Sequence, residues 1–279
     1  MTCRYVVLFL LVITKLTSAS FLLDQGLGLD GMQVGGAHTA NPQSCSAIYW
    51  NPANLVNINQ AQLYSSYSNS LTDASNTTFI YTTPLNENIS IGFGYLGQQV
   101  SDIEYRGNIG QSLGANFNYS NNVSILALGY KLSPEVSLGT SAKLFSQKAL
   151  SEKTYQSFDL SIKMQIQKET NLGFNAENFF NLNGQNEVYP KYRMGIEQQV
   201  SDWTLSSDFL YDALFNKTYL NYGFNYNGLS FIEIKGGING YFERYFLGMS
   251  LKLENISLDY MFSDPELGAS HSFGIGLKL

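Results

Sequence analysis

From about residue 59 to the end of the chain, apolar and polar residues alternate with a period of two. In FDLSIKMQI, Phe158, Leu160, Ile162, Met164 and Ile166 share one face, and Asp159, Ser161, Lys163 and Gln165 the other. YLNYGFNYN, YFLGMSLKL and ISLDYMF repeat the scheme, with Leu220, Tyr222, Leu247, Met249, Leu258 and Tyr260 on their apolar faces. This spacing predicts β-strands, about fourteen of them. They fall near 59–69, 75–84, 88–97, 121–131, 134–147, 153–166, 170–179, 189–199, 202–213, 216–227, 228–239, 242–254, 255–263 and 270–279. A soluble sandwich also alternates. Many long strands, each with one apolar face and one Ser/Asn/Gly/Lys face, instead predict an all-β fold: a transmembrane antiparallel β-barrel with lipid outside and water inside.

Proline placement agrees. Pro42 and Pro52 precede the strands, and Pro84, Pro134, Pro190 and Pro265 fall at connections or strand starts, where no ladder hydrogen bond is lost. The connections after even strands are short, as at 84–88, 133–135, 168–170, 227–228 and 253–255, and those at 98–118 and 180–188 are long. Short periplasmic turns and longer outer loops have this asymmetry, so both termini are expected on the periplasmic side.

Ahead of the barrel the pattern changes twice. Residues 1–19 carry Arg4, an apolar run over 6–13 and small residues up to Ala19, the layout of a secretory signal peptide. Residues 20–58 have neither period and are rich in Gly, Ala, Asn and Ser. The reading is therefore a signal peptide at 1–19, an N-terminal segment at 20–58 and a barrel at 59–279. No later apolar stretch approaches the roughly 20 residues of a spanning helix.

Charge and chemistry narrow the function. Formal charge is −6 and becomes −8 once Arg4 and Lys15 leave with the signal peptide. An acidic chain without a basic cluster argues against nucleic acid as a partner. Cys45 is alone after residue 19, and Cys45, His38 and His271 show no metal-ligand spacing. His271 and Ser272 adjoin on a strand and point to opposite faces, so they form no nucleophile and base. The reading is a non-enzyme with no cofactor and no metal. Lys143, Asp159, Lys163, Glu233, Lys235, Lys252 and Asp259 lie on polar strand faces. They would either select solutes or pair with one another and hold the N-terminal segment to the wall.

Two stretches carry resemblances. SFGIGLKL resembles the C-terminal signal read by the bacterial barrel-assembly machinery, through Ser272, Gly274 and Leu277, with Leu279 where an aromatic is usual. GGAHTANPQSCSAIYWNPANL, at 35–55, resembles the N-terminal segment of the FadL-like outer-membrane proteins, marked by Asn51-Pro52-Ala53 after Trp50. Within that superfamily, the stretches at 119–148 and 256–279 are similar to the hairpins of PorV/PorQ-type proteins.

The resemblance implies a fourteen-strand barrel in the bacterial outer membrane, with residues 20–58 folded inside as a plug or hatch. It implies first an accessory of type IX protein secretion, holding cargo proteins or secretion-system subunits at outer loops such as 98–117. It implies second a channel for long-chain fatty acids or other hydrophobic small molecules, with Trp50–Ala53 as the gate. A structural barrel is the third reading. A fatty-acid channel needs an apolar lumenal pocket, and the inward faces assigned by alternation are mainly Ser, Asn, Gly and charge. In the N-terminal segment, Asn51 can bond neighbouring backbone, Pro52 has no N–H to satisfy, and the glycines at 26, 28, 31, 35 and 36 let the backbone pass close to the wall.

Overall fold

Alternation of lipid-facing and water-facing side chains leaves each strand needing a partner on both edges, and fourteen antiparallel strands meet that need by closing on themselves. The computed structural model describes residues 21–24, 26–40, 44–69, 74–106, 112–149, 151–182, 187–264 and 270–279. The first seven strands are β1 (Gln62–Asn69), β2 (Ala74–Pro84), β3 (Ile89–Arg106), β4 (Ser112–Lys131), β5 (Val136–Lys148), β6 (Glu152–Gln167) and β7 (Thr170–Leu182). The other seven are β8 (Lys191–Val200), β9 (Trp203–Asp212), β10 (Lys217–Tyr226), β11 (Ile232–Asn239), β12 (Arg244–Leu253), β13 (Ile256–Ser263) and β14 (Ser270–Lys278). Each pairs with the next, and β14 returns to β1 in a register running from Gln62↔Lys278 to Asn69↔His271. The signal segment at 1–19, Pro42 and Pro265 lie outside the described residues.

The faces follow the period. On β6, Leu160 and Ile162 are 51% and 39% exposed on the outer surface, and Asp159 and Ser161 are buried within. Outward aromatics collect near the two rims. Trp203 meets Tyr226 at 4.7 Å near the short turns, and Phe158 lies 6.1 Å from Phe180 toward the other end. An apolar outer band edged by aromatics is the surface of a barrel in lipid. The chain is a multi-pass barrel of the bacterial outer membrane.

Three elements differ from the alternation. The stretch at 98–118 is not a loop at its ends: β3 runs on to Arg106 and β4 starts at Ser112, so a hairpin stands above the wall. A register shift between Val100 and Ile103, with Asp102 at φ 57°, throws the side chains out of phase there and hides the strand. β11 starts at Ile232 because residues 228–231 join the turn. β7 continues to Leu182 through a second irregularity, between Phe158 and Leu160 of its partner, where Asn178 takes φ 52°.

The N-terminal residues occupy the lumen. They form short helices at Phe21–Asp24, Leu29–Gln33 and Ala47–Trp50 and a 3-10 turn at Pro52–Asn57. The wall accommodates them with inward glycines that pair across strands, among them Gly129↔Gly139, Gly173↔Gly195 and Gly223↔Gly237. A Cβ at Gly139 would lie 2.1 Å from Ala53 N, one at Gly173 2.2 Å from Thr39 O, and one at Gly237 2.2 Å from Val34 C. These contacts are with backbone, which cannot swing aside. Gly139→Ala is expected to lower the temperature at which the compact, fast-migrating gel form converts to the unfolded one. An unchanged conversion temperature would mean that Ala53 is not seated against β5.

Candidate functional site

The segment in the lumen has no strand beside it to share a ladder, so its backbone groups need other partners. Asn51 supplies several. Its Nδ2 donates to Thr39 O at 2.8 Å and to Ile162 O of the wall at 3.1 Å, and its Oδ1 accepts from Ala53 N at 3.1 Å. Ala53 N also donates to Ser161 Oγ at 3.0 Å, and Ser137 Oγ donates to Ala53 O at 2.8 Å. Pro52 begins the 3-10 turn, where a missing N–H costs nothing. Trp50 is fully buried and donates from Nε1 to Leu27 O at 3.2 Å. Gly31 gives its ring room, since a Cβ there would lie 2.4 Å from the indole. Of the five glycines expected to pass close to the wall, Gly35 and Gly36 do so, against Ile238 and Asn239; Gly28 meets Ser46 and Asp30 of the segment and Ile80 of the wall, and Gly26 and Gly31 meet groups of the segment itself.

Wall asparagines continue the pattern. Asn175 Nδ2 donates to Trp50 O at 3.2 Å, Asn239 Nδ2 to Gly35 O at 2.9 Å and Asn221 Nδ2 to Gly36 O at 3.5 Å. Asp208 on β9 accepts from His38 N, Thr39 N and Thr39 Oγ1 at 3.1, 3.0 and 2.6 Å. Alternation did offer this residue, because Ser206, Asp208, Leu210 and Asp212 share the inner face of β9. Its partners, about 170 residues away in sequence, were not legible.

Several of the lumenal charges are paired. Lys143 and Asp159 meet at 2.7 Å, fully buried, and Asp159 also accepts from Ser141 Oγ and Asn178 N. Glu233 is held by Lys235 at 3.4 Å and by Lys252, while Lys235 Nζ donates to Gln33 Oε1 at 3.1 Å. Lys163 is buried with Glu197 as its opposite charge, and Asp259 is buried near Lys235. Two clusters were missed. Arg193 binds Glu177 and stacks 5.0 Å from the Trp50 ring, and Lys191 binds Asp24 of the segment and Asp212 of the wall. The β7 irregularity turns both Glu177 and Asn178 inward, against alternation. At the C-terminus, Ser272 is buried on the inner face, Gly274 lies against the Tyr64 hydroxyl, and Leu277 and Leu279 face outward.

The lumen divides into two parts. Leu96, Val123, Phe145 and Tyr155 are consecutive partners across β3 to β6 and point inward, with Ile80 and Ile125 below them. They pack on Leu22, Leu23, Leu27, Ile48 and Tyr49 of the segment. The inner face is mainly polar elsewhere, and this strip across β3 to β6 is an apolar exception. β4 is apolar on both faces over Ile125–Leu128, and a continuous apolar run does not reveal which residues point inward. Below the segment, a cavity of about 590 Å³ opens at the short-turn end among Asp30, His38, Cys45, Glu197, Glu233 and Asp259.

No family model matches the sequence, and no curated protein matches it. Solved structures do. The Pseudomonas putida toluene transporter TodX superposes with a TM-score of 0.67 at 12% identity, over 88% of this chain and 96% of that one. A Pseudomonas aeruginosa FadL homologue gives 0.64 at 10% identity, over 90% and 97%. A TodX deltaS2S3 mutant, described as a monoaromatic hydrocarbon channel, gives 0.66 at 11% identity over the same shares. The fold is FadL-like. The two TodX structures are described as a toluene transporter and a hydrocarbon channel. In the lumen of this chain, Ser44 and Ser46 both donate to Asp30, which His38 also faces at 3.4 Å, so neither hydroxyl is paired with the imidazole as a nucleophile.

Two outcomes test the segment's anchoring. Asn51→Ala removes three hydrogen bonds, but Asn54 still reaches Thr39 O and Ser161 still holds Ala53 N, so about 1–3 kcal/mol should be lost. The barrel should remain heat-modifiable, and maleimide should modify Cys45 faster, since burial pushes this half-buried thiol up and keeps it slow in the wild type. An unchanged rate would reduce Asn51 to ordinary turn chemistry. Burial works to raise the Asp30 carboxyl, but the hydrogen bond and charge of His38, with Lys235 and Ser44, hold it below its ordinary range. A carboxyl depressed on folding contributes stability that is present above about pH 4 and is lost as pH falls further. Trp50 emission in a Trp203→Phe background should shift to the red over that acid range, and Asp30→Asn should remove the transition.

Proposed function

We propose that the chain is an outer-membrane channel for hydrophobic small molecules, with residues 20–58 as a plug whose Trp50–Ala53 turn closes the lumen. The observation that carries this reading is the inward apolar wall of Leu96, Val123, Ile125 and Phe145. A barrel needs no such wall to span lipid, because the outer face alone meets the bilayer. Where the plug leaves this wall, an apolar ligand takes the place of Leu22, Leu27 and Ile48. Burial then favours it by about 25 cal/mol per Å² of apolar surface. The functions stated for the structural neighbours support the same class.

The secretion-accessory reading rests on the β3–β4 hairpin that stands above the wall as a surface for cargo. Gentle detergent extraction from the native outer membrane, with mass spectrometry of small molecules and proteins, separates the two. A bound hydrophobe without stoichiometric protein partners is the expected outcome. Secreted cargo or secretion subunits in equal amount would replace the channel reading.

A further inference from the structure

We propose that the cavity at the short-turn end is a binding site for short peptides with free termini, entered from the periplasmic side. The site does not depend on what crosses the barrel. The 3-10 turn at Pro52–Asn57 packs mainly against β3 to β6, and the arc from β8 round to β1 is left hollow. The hollow holds about 590 Å³, within the roughly 300–1,000 Å³ of small-molecule sites. Asp30 and His38 of the segment form its floor, so an occupant joins the segment to the wall.

Charge in this hollow is ordered along the strands, with acid deep and base at the opening. Ser250 pairs with Glu233 on one side and with Asp259 on the other, so the two acids share one level. Asp30 comes to that level too. A Cβ at Gly274, the ladder partner of Asp259, would lie 3.3 Å from Cδ1 of the adjoining Leu29. Lys235, one inward position deeper on β11, is spent on Glu233, Gln33 and Ser250. The other lysines lie nearer the opening. Lys252 is level with Ser257 and Gly276, and Lys278 is one inward position farther out on β14. Lys252 reaches Glu233 with a side chain that is 56% exposed, and Lys278 pairs with no carboxylate among the described residues. Glu254 stands beyond them on the exposed turn.

This order fits a molecule with an ammonium at its inner end and a carboxylate at its outer end. Inward positions on a strand are roughly 6.5 Å apart, so about 13 Å of strand parts the acidic level from Lys278. The flexible lysine stem shortens that gap, and three extended residues cover about 10 Å. Side-chain amides of Gln62, Asn225 and Asn255 line the same hollow and supply donors and acceptors for peptide groups. A simple amine leaves Lys278 unmatched, and a simple carboxylate meets the acids.

The test uses the full chain, folded in mild detergent at neutral pH, with trialanine as the probe and calorimetry to measure its Kd. Cys45 lines the cavity, so a bound peptide shields it. Trialanine at about ten times its Kd should slow maleimide modification of Cys45 by about tenfold. N-acetyl-trialanine amide, which lacks both charges, should bind at least about tenfold more weakly. Lys278→Gln should weaken trialanine by about threefold and leave propylamine unchanged. Absence of trialanine binding would overturn the proposal. Binding of the capped peptide or of propylamine as tight as that of trialanine would also overturn it. Unchanged trialanine affinity in a heat-modifiable Lys278→Gln barrel counts against the carboxylate end of the assignment. Should that variant fail to fold, the wild-type comparison of free and capped peptide decides.

Discussion

A polypeptide inside a barrel cannot join a sheet, and each backbone group it buries must find a partner on side chains or in its own turns. The short helices and the 3-10 turn of the lumenal segment satisfy only part of its backbone. The wall supplies the rest from Asn175, Asn221, Asn239, Ser137 and Asp208. Close approach is the second half of the same demand. Side-chain amides reach the segment only if its backbone lies near the strands, and the paired inward glycines make that spacing possible. The inner face of the barrel is thus shaped by the segment as much as by water.

The interior charges follow from this geometry. A buried ion pair is rarely worth more than apolar packing, but losing one partner leaves a buried charge and costs about 3–5 kcal/mol. Lys191 joins Asp24 of the segment to Asp212 of the wall, so the start of the segment is fixed to β8 and β9 by groups that cannot be separated cheaply. Arg193 does the same through Tyr49 and Trp50, whose rings it covers while holding Glu177. Asn51 adds a bond to β6, and Asn239 reaches Gly35 from β11, farther round the wall. The segment is held across its width rather than at one point.

Where each strand has one lipid face and one polar face, the sequence was readable almost residue by residue, as from Phe158 to Ile166. The period failed in three physical situations. Between Val100 and Ile103 and between Glu177 and Phe179, bulges shift the phase. Over Ile125–Leu128 both faces are apolar, so the phase of β4 was hidden. And Asp208 and Arg193 stood on legible inner faces, but their partners Thr39 and Tyr49 come from a segment with no period of its own. The Asn51-Pro52-Ala53 motif marked the region by resemblance alone; its bonds to Thr39, Ile162 and Ser161 depend on the closed wall.

These features give the proposed channel an asymmetric path. On the outer side, Leu96, Val123 and Phe145 present an apolar surface now covered by Leu22, Leu27 and Ile48. At the short-turn end, the cavity is lined by Asn, Gln, Ser and charged groups together with Val34, Ile58, Leu63 and Ile256. An apolar ligand gains more free energy in the first region than in the second, so it collects against the segment rather than passing freely. Release then depends on the segment giving way, and the contacts opposing that motion include the Asn51 and Asp208 hydrogen bonds, the amides of Asn175, Asn221 and Asn239, and the Arg193 and Lys191 clasps. Most of them join a side chain to the backbone of the segment. The strand ladders are not involved, so the lumen can open without the barrel unfolding.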